Sequence, residues 1–366
     1  MGNKLKASII GFGKMGKIRA EFAEQCNIEI VSVYESNEEI TIDKYHRVKL
    51  VDEIFDNKET DIIFVSTPNH FNKEYTIRAL KNKKHVFCEK PPCINVTEML
   101  EIIEEEKKHP ELKLMYGLNH RHHDSVIRIK NEIESGKFGK VLWMRGRYGK
   151  NVGEDFFSNW RANAEQSGGG ILIDQGIHML DLFLYFANNF DEIKSMVTNQ
   201  YWNIDGVEDN VFALLKNTNK NIVASLHSTM TQWRHLFSLE VFLEDGYMTL
   251  NGLKTPSGRY GEEVLTIAKN KKQKGGERLF EHQYKYLVDN SWYNEINYFT
   301  SIIKNDGEIT IGNSDDAYKL MNLGPTSNSS ISIILFLISR LLLIKLFKLL
   351  ILSLKYSKSD LPDIRK

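Results

Sequence analysis

The first third of the chain alternates short apolar runs with longer segments of helical periodicity. The runs are rich in Val and Ile and nearly continuous, which is typical of strands buried on both faces of a parallel sheet. The predicted strands are Lys6 to Ile10, Ile28 to Tyr34, Asp61 to Thr67, Lys84 to Glu89 and Lys113 to Leu118. The helices predicted between them include Lys14 to Gln25, Asn72 to Lys81 and Val96 to Lys107. This alternation predicts βαβ units and a doubly wound sheet.

The middle of the chain has a different pattern. A predicted helix near Ser125 to Ser135 precedes the run KVLWMRGRYG, a glycine-rich loop and a helix from about Leu172 to Ala187. Further runs with partial alternation follow, separated by short turns such as Asp245-Gly246. Consecutive strands with tight connections predict an antiparallel sheet. A helix covers only one face of such a sheet, so we expect a homo-oligomer, a homodimer or homotetramer, to cover the other.

These patterns predict an α/β protein in three regions. Residues 1–120 form a first domain with a doubly wound parallel sheet. Residues 121–323 form a second α/β domain with a large, mostly antiparallel open sheet. Residues 324–366 form a hydrophobic and basic tail that fits neither domain.

A glycine-rich turn follows the first predicted strand and opens the first predicted helix. Its residues, which fit the pattern G-x-G-x-x-G, are Gly11, Phe12, Gly13, Lys14, Met15 and Gly16. In a βαβ unit, this turn places a dinucleotide pyrophosphate at the free N–H groups of the helix N-terminus. Glu35 lies 19 residues beyond Gly16, where an acid reaches the adenosine ribose. The alternative is a structural turn with a solvated glutamate.

Glu35 also bears on the choice of dinucleotide. A carboxylate accepts hydrogen bonds from both ribose hydroxyls of NAD and repels the 2′-phosphate of NADP. Ser36 and Asn37 supply no arginine to offset that repulsion. NAD is therefore the predicted cofactor and NADP the less favoured one, with Arg47 a complication if a loop brings it near.

Composition narrows the function further. The chain has 366 residues, and Lys plus Arg equal Asp plus Glu at 48 each, so no basic excess indicates a nucleic-acid partner. Only three cysteines occur, Cys26, Cys88 and Cys93, without metal-ligand spacing or pairing. This cysteine usage predicts a reduced, cytoplasmic setting.

Three further strings have the order and spacing of a known enzyme family. They are STPNHFNKEYTIRALKNKKHVFCEKP, from Ser66 to Pro91, GLNHRHH, from Gly117 to His123, and SGGGILIDQGIHMLD, from Ser167 to Asp181. Together with the glycine turn, they resemble the Gfo/Idh/MocA family, the glucose–fructose oxidoreductase and inositol dehydrogenase group. The resemblance runs from about Lys6 to Leu323.

The resemblance implies a fold, an activity and a catalytic group. The fold is a Rossmann domain followed by an α/β domain whose open sheet makes oligomer contacts. The activity is hydride transfer between NAD(P) and a secondary alcohol of a sugar, nucleotide-sugar or cyclitol. By motif position, the catalytic residues are Lys90, Asp174 and His178. The resemblance also implies a cis bond between Lys90 and Pro91.

The same residues suit this chemistry on physical grounds. An imidazole such as His178 can take the hydroxyl proton as hydride leaves the carbon. Asp174 precedes it by four residues, so on a helix both lie on one face, where Asp174 orients His178 or binds a neighbouring substrate hydroxyl. Lys90 can stabilise developing alkoxide charge. The alternatives are a capping and packing pair on an ordinary helix and a solvated lysine.

Other residues carry weaker hypotheses. Those predicted to line the cofactor site at the ends of strands are Thr67, Pro68, Asn69 and Glu89. Those considered as substrate contacts are Asn119, Arg121, Trp160 and Arg161, with surface ion pairs as the alternative. His120, His122 and His123 lack a supporting carboxylate spacing, so no metal is predicted.

Two other functions are compatible with the sequence. One is a non-catalytic NAD-binding regulatory protein that keeps the fold; the presence of Lys90, Asp174 and His178 argues against it. The other is an enzyme that oxidises and re-reduces its substrate with a bound cofactor. The motifs do not distinguish a forward from a reverse reaction.

The tail departs from the family pattern after Leu323. From Ile331 to Leu354 it has eighteen Ile, Leu or Phe residues and three basic ones. With about −0.5 kcal/mol for each apolar residue and about +3 kcal/mol for each charge, membrane insertion is near break-even. A basic helix lying on a membrane surface fits better than a spanning one. The alternative is that the reading frame departs from the family there.

Overall fold

The computed structural model describes residues 4–270 and 280–323 and contains two sheets. The first sheet has the strand order β2-β1-β3-β4-β5, and every neighbouring pair is parallel. Its strands are β1 (Lys6–Ile10), β2 (Glu29–Tyr34), β3 (Ile62–Val65), β4 (His85–Cys88) and β5 (Leu114–Tyr116). This order confirms the predicted doubly wound sheet, and each strand lies within its predicted run.

Helices cover both faces of this sheet. They are α1 (Lys14–Gln25), α2 (Asp52–Asp56), α3 (Asn72–Lys81) and α4 (Val96–Glu106). Both α1 and α3 have the predicted bounds, because the apolar positions repeat at helical spacing between turn residues. The carboxyl ends of β1, β3 and β4 therefore lie along one edge of the sheet, which is where ligands of open α/β sheets bind.

The second sheet is larger and mostly antiparallel, as predicted. Its order is β13-β12-β11-β10-β6-β9-β8-β7, and of its neighbouring pairs only β6 and β9 are parallel within the described residues. Its strands are β6 (Val141–Asn151), β7 (Glu192–Thr198), β8 (Asn210–Asn217), β9 (Ile222–Thr229), β10 (Thr231–Leu243), β11 (Gly246–Asn251), β12 (Glu263–Lys269) and β13 (Glu281–Tyr286). The two last strands were not predicted.

The helices of this half are α5 (Asp124–Glu134), α6 (Ala164–Ser167), α7 (Ile177–Ala187), α8 (Ser291–Lys304) and α9 (Ser314–Leu323). A π-helical turn, Leu172–Gly176, leads directly into α7. Nearly all of α7 is buried against the inner face of the second sheet. The stretch Ala164–Ala187 is apolar and long enough to cross a membrane, but 78% of an 18-residue apolar window within it is buried in the protein, as in a core helix.

The end of the described chain returns to the first sheet. Helix α8 packs on α1, and its Ile296 and Phe299 join the apolar core beneath β1 and β3. The Tyr116 N–H of β5 donates to the Gly312 carbonyl at 2.8 Å. The halves of the chain are therefore interleaved in space, a long-range arrangement that the local pattern did not predict. The predicted tail, residues 324–366, lies outside the described residues.

Candidate active site

The glycine turn between β1 and α1 forms one end of a large cavity. Gly11 has φ +86°, and a side chain there would place its Cβ 2.5 Å from the Ser66 carbonyl oxygen. At Gly16, a Cβ would lie 2.0 Å from the Gly11 oxygen, so only glycine lets helix and turn pack this closely. Gly13 caps α1 with open space around it, and no acidic side chain occupies the first helical turn. The free N–H groups at this helix end suit a bound phosphate.

Glu35 lies beside this turn, immediately after β2. Its Oε2 accepts the Phe12 N–H at 2.6 Å, and its Oε1 accepts the Asn37 N–H at 2.9 Å. The carboxylate lines the cavity together with Gly13, Lys14 and Met15. The Phe12 ring points away from the cavity and packs edge-on against Tyr45 at 5.6 Å, so Phe12 contributes only its main chain to this region.

Arg47 lies close to Glu35, as the sequence analysis considered. Its guanidinium donates to the main-chain oxygens of Glu35 at 2.8 Å, Asn37 at 2.9 Å and Ile40 at 3.0 Å. The guanidinium N–H groups are therefore used by main-chain carbonyl groups and do not pair with the Glu35 carboxylate. Arg47 therefore fixes the loop that carries the acid, and the acid itself remains directed at the cavity.

The loops after β3 and β4 form the next part of the wall. Thr67, Pro68 and Asn69 all line the cavity. The Asn69 amide donates to the Ser167 carbonyl at 2.7 Å, which joins the two halves of the chain across the site.

Glu89 also lines the cavity, and the buried Arg19 compensates its charge. Its Oε1 accepts from the Arg19 Nε at 2.5 Å, and the Arg19 Nη1 donates to Glu295 at 2.6 Å. All three side chains are buried. Burial raises the pKa of Glu295 to about 7, although the neighbouring charge of Arg19 opposes this shift.

Lys90 leaves the end of β4 and enters the middle of the cavity. The bond between Lys90 and Pro91 is cis, as expected from the resemblance. The Lys90 Nζ donates to the Asp174 carbonyl oxygen at 2.6 Å and lies 3.7 Å from its Oδ1. Burial lowers the pKa of Lys90 below the usual lysine value, although the carboxylate of Asp174 opposes this shift.

Asp174 is surrounded by positive charge. Its carboxylate forms ion pairs with Lys150, with the Arg161 Nε at 3.4 Å and with Lys90. Burial opposes ionisation of this carboxyl, but the combined charges of Lys150, Lys90 and Arg161 hold its pKa well below the usual aspartate value. Asp174 is therefore ionised and holds three cationic side chains at one place in the cavity.

His178 faces the same space from the start of α7. Its ring stacks on that of His120, with the centroids 3.9 Å apart, and its Nδ1 is buried without a hydrogen-bond partner. Burial, followed by the charge of Lys90, lowers the pKa of His178 well below the usual histidine value. The imidazole is therefore neutral near pH 7, the protonation state that a general base requires.

One sequence hypothesis about this pair needs correction. Asp174 was considered as the residue that orients His178, but its carboxylate is directed at the three cations, and among the described residues it has no hydrogen bond to the imidazole. The ring of His178 is instead held by stacking on His120. The Nε2 of His120 lies 3.1 Å from the Tyr148 hydroxyl, which fixes His120 in turn.

The other two histidines of the GLNHRHH string are structural. The His123 Nδ1 lies 3.2 Å from Glu263, and both side chains are buried. Burial, followed by the charge of Arg121, lowers the pKa of His122 to about 3. Residues 4–270 and 280–323 contain no group of three or more His, Cys, Asp or Glu side chains placed to hold a metal ion.

Three of the four residues considered as substrate contacts line the cavity, namely Asn119, Trp160 and Arg161. Arg121 does not, and this hypothesis is corrected. Its side chain is 2% exposed and forms a buried ion pair with Asp181 at 2.6 Å and with Asp316 of α9 at 2.7 Å. The ion pairs of Arg121 therefore connect α9, the last described helix, to α7. The Arg121 side chain does not line the cavity.

Replacing Arg121 by methionine is expected to lower the free energy of unfolding by about 3–5 kcal/mol, because two carboxylates then remain near each other without a cation, one of them fully buried. Urea denaturation measures the loss. Arg145→Met is the matched control, because Arg145 pairs with Glu240 with its own side chain 56% exposed, and such a pair contributes about 0–1 kcal/mol. Equal denaturation midpoints for the two variants would contradict the structural role.

Several cavity residues were not predicted. They are Tyr148, Lys150, Gln175, His235 and Tyr260. Tyr148 and Lys150 lie on the inward-facing side of β6, in register with the buried Met144 and Gly146. Their polar side chains at inward-facing positions near the end of a strand are the sequence feature that could have indicated a site there. Tyr260 comes from the β11–β12 loop, and its hydroxyl donates to Gln175 at 3.3 Å.

The cavity has a volume of about 910 Å³, near the upper end of small-molecule sites. Its one end offers a glycine turn, a helix N-terminus and an acid; its other end offers a buried lysine, a neutral imidazole and an ionised aspartate. This combination fits a dinucleotide at the first end and a reacting hydroxyl or carbonyl at the second.

Two family models match most of this architecture. The model described as "Oxidoreductase family, NAD-binding Rossmann fold" matches residues 5–118, and the "GFO/IDH/MocA C-terminal domain" model matches residues 126–249. Together they cover more than half of the chain. The chain belongs to the Gfo/Idh/MocA family of NAD-binding oxidoreductases.

The curated relatives that the chain resembles include dehydrogenases of sugars and cyclitols. D-glucoside 3-dehydrogenase of Escherichia coli (strain K12) is 28% identical over 208 residues, which cover 55% of this chain and 58% of that protein. Inositol 2-dehydrogenase of Salmonella typhimurium is 27% identical over 154 residues, covering 39% of this chain and 46% of that protein. The chain thus spans about half the length of these relatives.

Solved structures extend the likeness of the fold over more of the chain. Levoglucosan dehydrogenase in complex with NADH and levoglucosan has a TM-score of 0.77 at 21% identity, covering 88% of this chain and 95% of that one. An aldose-aldose oxidoreductase from Caulobacter crescentus has a TM-score of 0.73 at 23% identity, covering 88% and 95%. These similarities extend the family fold through both sheets.

Proposed function

We propose that the protein is an NAD-dependent dehydrogenase acting on a secondary alcohol, or the matching ketone, of a sugar, nucleotide-sugar or cyclitol. The observation that carries the proposal is the meeting of Lys90, Asp174 and His178 in the cavity that the glycine turn opens. A non-catalytic regulatory protein would not need a buried lysine with a lowered pKa beside a neutral imidazole. The names of the relatives support the same substrate class.

His178, Lys90 and Asp174 have different roles in the proposed reaction. When bound next to this site, the nicotinamide of NAD would supply the hydride acceptor for oxidation of the carbinol carbon, or the hydride donor for reduction of the ketone. His178, being neutral, takes the hydroxyl proton as this happens. Lys90 donates to the reacting oxygen and stabilises its developing negative charge. Asp174 keeps the Lys90 ammonium charged and positioned, since its carboxylate lies 3.7 Å and its carbonyl 2.6 Å from the Lys90 Nζ.

The cofactor end fits NAD. Gly11, Gly13 and Gly16 leave room for the main chain to approach a pyrophosphate, and the first turn of α1 offers its N–H groups. Glu35 would receive the adenosine ribose hydroxyls. Thr67, Pro68, Asn69 and Glu89 line the path from that end to Lys90.

Exchanging Glu35 for serine is expected to raise the NADP-to-NAD preference by about tenfold or more. The carboxylate no longer repels a 2′-phosphate and no longer binds the ribose hydroxyls, interactions that together exceed about 1.4 kcal/mol. The ratio of dissociation constants for NADH and NADPH, measured by fluorescence titration, gives the result. Glu38→Ser is the control, since it removes the same charge from an exposed position three residues away. The same NADH-to-NADPH ratio in wild type and Glu35→Ser would remove the ribose assignment.

Turnover separates the dehydrogenase from the regulatory alternative. Purified protein is incubated with NAD and a panel of pyranoses, methyl glycosides and inositols, and NADH formation is followed by fluorescence. The reverse reaction uses NADH with the corresponding keto-sugars. Catalysis at a useful rate supports the dehydrogenase. Binding of NADH without turnover of any compound in either direction would favour the regulatory protein.

The proposal extends to the assembly and its setting. The outer face of the second sheet exposes a set of apolar side chains on adjoining strands, namely Trp143, Met196, Phe212, Leu214 and Val223. A contiguous apolar face of this kind is covered in most proteins, so we propose a second copy of the chain there, in a homodimer or homotetramer. A cytoplasmic location agrees with three buried, unpaired cysteines.

We also propose that the two halves of the chain bind different molecules. Residues 1–120 would bind the cofactor and residues 121–323 the substrate, with α8 and α9 returning to support the first half. Contact with a membrane surface would come only through residues 331–354, which lie outside the described part of the chain.

A further inference from the structure

The substrate end of the cavity carries an excess of positive charge. Four permanently or usually cationic side chains line this end, Lys90, Lys150, Arg161 and Arg259. Among the described residues, two carboxylates face them there, Asp174 and Asp155. The remaining acids of the cavity serve other places: Glu35 lies at the end of the glycine turn, and Glu89 is paired with Arg19.

The ion pairs leave part of this charge uncompensated. Lys90, Lys150 and Arg161 all share the single carboxylate of Asp174. Arg259 and Asp155 are both exposed at the rim of the cavity, and neither forms an ion pair within residues 4–270 and 280–323. Holding Lys90, Lys150 and Arg161 together around one carboxylate in a partly desolvated space is unfavourable unless a further anion compensates their charge.

Arg259 belongs to this cluster through the loop that carries it. The loop joins β11 to β12 and contributes Thr255, Ser257, Arg259 and Tyr260 to the cavity wall. Tyr260 fixes the loop, since its ring contacts those of Tyr148 at 5.2 Å and His235 at 4.9 Å. Burial and then the charges of Arg259 and Lys150 lower the pKa of His235, so His235 stays neutral and adds no further positive charge.

The chemistry of a productive complex increases the need for an anion. Oxidised nicotinamide carries a positive charge of its own, and the phosphates of the dinucleotide bind at the opposite end, against the N-terminus of α1. Hydroxyl groups of a neutral sugar accept hydrogen bonds from lysine and arginine but carry no compensating charge. A carboxylate or phosphate supplies the charge and matches the planar fork of a guanidinium.

We propose that the physiological substrate is an anionic sugar or cyclitol, one that carries a carboxylate or a phosphate, and that Arg259 with Arg161 binds this group while Lys90 and His178 act on a hydroxyl of the same molecule. The inference rests on the proposed function and deepens it by naming the substrate class. Carboxylate and phosphate share the chemistry of recognition, so the experiment includes both.

The test compares matched charged and neutral substrates. The pairs are galacturonate with its methyl ester, glucose 6-phosphate with glucose, and inositol 1-phosphate with myo-inositol, each assayed for kcat/KM with NAD. The anionic member of at least one pair is expected to be better by about tenfold to a hundredfold, the range of a charge-assisted hydrogen bond. The pair that shows the effect identifies the carboxylate or the phosphate as the source.

Arg259→Gln is expected to reduce the charged-to-neutral ratio of that pair toward one. Arg147→Gln is the matched control, because Arg147 lies exposed on β6, on the face of the sheet turned away from the cavity, and its loss removes the same charge. This control is expected to leave the ratio at the wild-type value. Raised salt is expected to lower the ratio in the wild type, since part of the attraction acts through solvent.

The outcomes separate this inference from the proposed function. Good turnover of neutral sugars with ratios of one or below for every pair would overturn the anionic substrate and leave the dehydrogenase standing. Absence of turnover for every compound would instead count against the dehydrogenase. In that case, the shift in unfolding temperature of the NADH complex with each pair still decides the inference, because an anion-specific site stabilises the protein with only the charged member.

Discussion

Lys90→Met is expected to lower kcat by about 10²–10⁴-fold while the affinity for NADH stays near the wild-type value. Methionine has a similar length but no charge, so the developing alkoxide loses its nearest cation. Asp174 keeps Lys150 and Arg161 as partners, so the surrounding site is expected to stay folded. Steady-state turnover and NADH fluorescence titration measure the two properties separately.

Lys84→Met provides the matched control for this result. Lys84 is another buried lysine of the same strand region, but it precedes β4 and donates to the main-chain oxygens of Asn57 at 2.8 Å and Thr60 at 2.7 Å. Its loss is expected to reduce stability without changing kcat of the folded protein. Near-wild-type kcat in Lys90→Met would show that the lysine has no part in the chemistry.

His178→Ala is the second variant with a large expected effect, again a loss of about 10²–10⁴-fold in kcat with NADH binding retained. The reason differs from that for Lys90: the variant loses the neutral base that receives the hydroxyl proton. The loss is expected to be largest at low pH, where hydroxide from solvent is scarcest. A pH series of kcat for the variant and the wild type measures it.

His227→Ala is the control for this variant. His227 lies on β9 on the outer face of the second sheet, where its ring stacks on Phe212 at 4.0 Å. Removing it takes away a half-buried imidazole that does not line the cavity. If His178→Ala and His227→Ala had the same kcat, the assignment of the base would be wrong.

The fold of the first sheet could be predicted because its signals are local. Helices α1 and α3 have the predicted bounds, and each buried strand shows as a short apolar run between turn residues. The second sheet was predicted as antiparallel, but β12 and β13 were missed because their sequences lack a clear alternation. The return of α8 to the first sheet depends on contacts across the chain that no local pattern encodes.

The candidate site was predictable only in part. Motif order brought Lys90, Asp174 and His178 together in advance, and the structure places all three in one cavity. The sequence did not reveal that Lys150 would join Asp174, because the register of β6 decides which of its side chains face inward. The prediction of Arg121 as a substrate contact was wrong for a similar reason. The local sequence around an arginine in a loop does not show whether it binds a ligand or a buried aspartate.

The π-helical turn at Leu172–Gly176 bears on how such an enzyme can change over evolution. A π turn closes its rings over one residue more than an α turn, so it equals a single-residue insertion in a helix. Deleting one residue there would restore a regular helix and turn Asp174 by about 100° around the axis relative to His178. Point substitutions around the cavity can change which molecule fits it, whereas a change in helix length at this turn would separate the carboxylate from the imidazole. The alignment of these two groups is therefore tied to the count of residues between the Gly168–Gly170 loop and α7, and lineages of this protein are expected to vary in side chains there long before they vary in length.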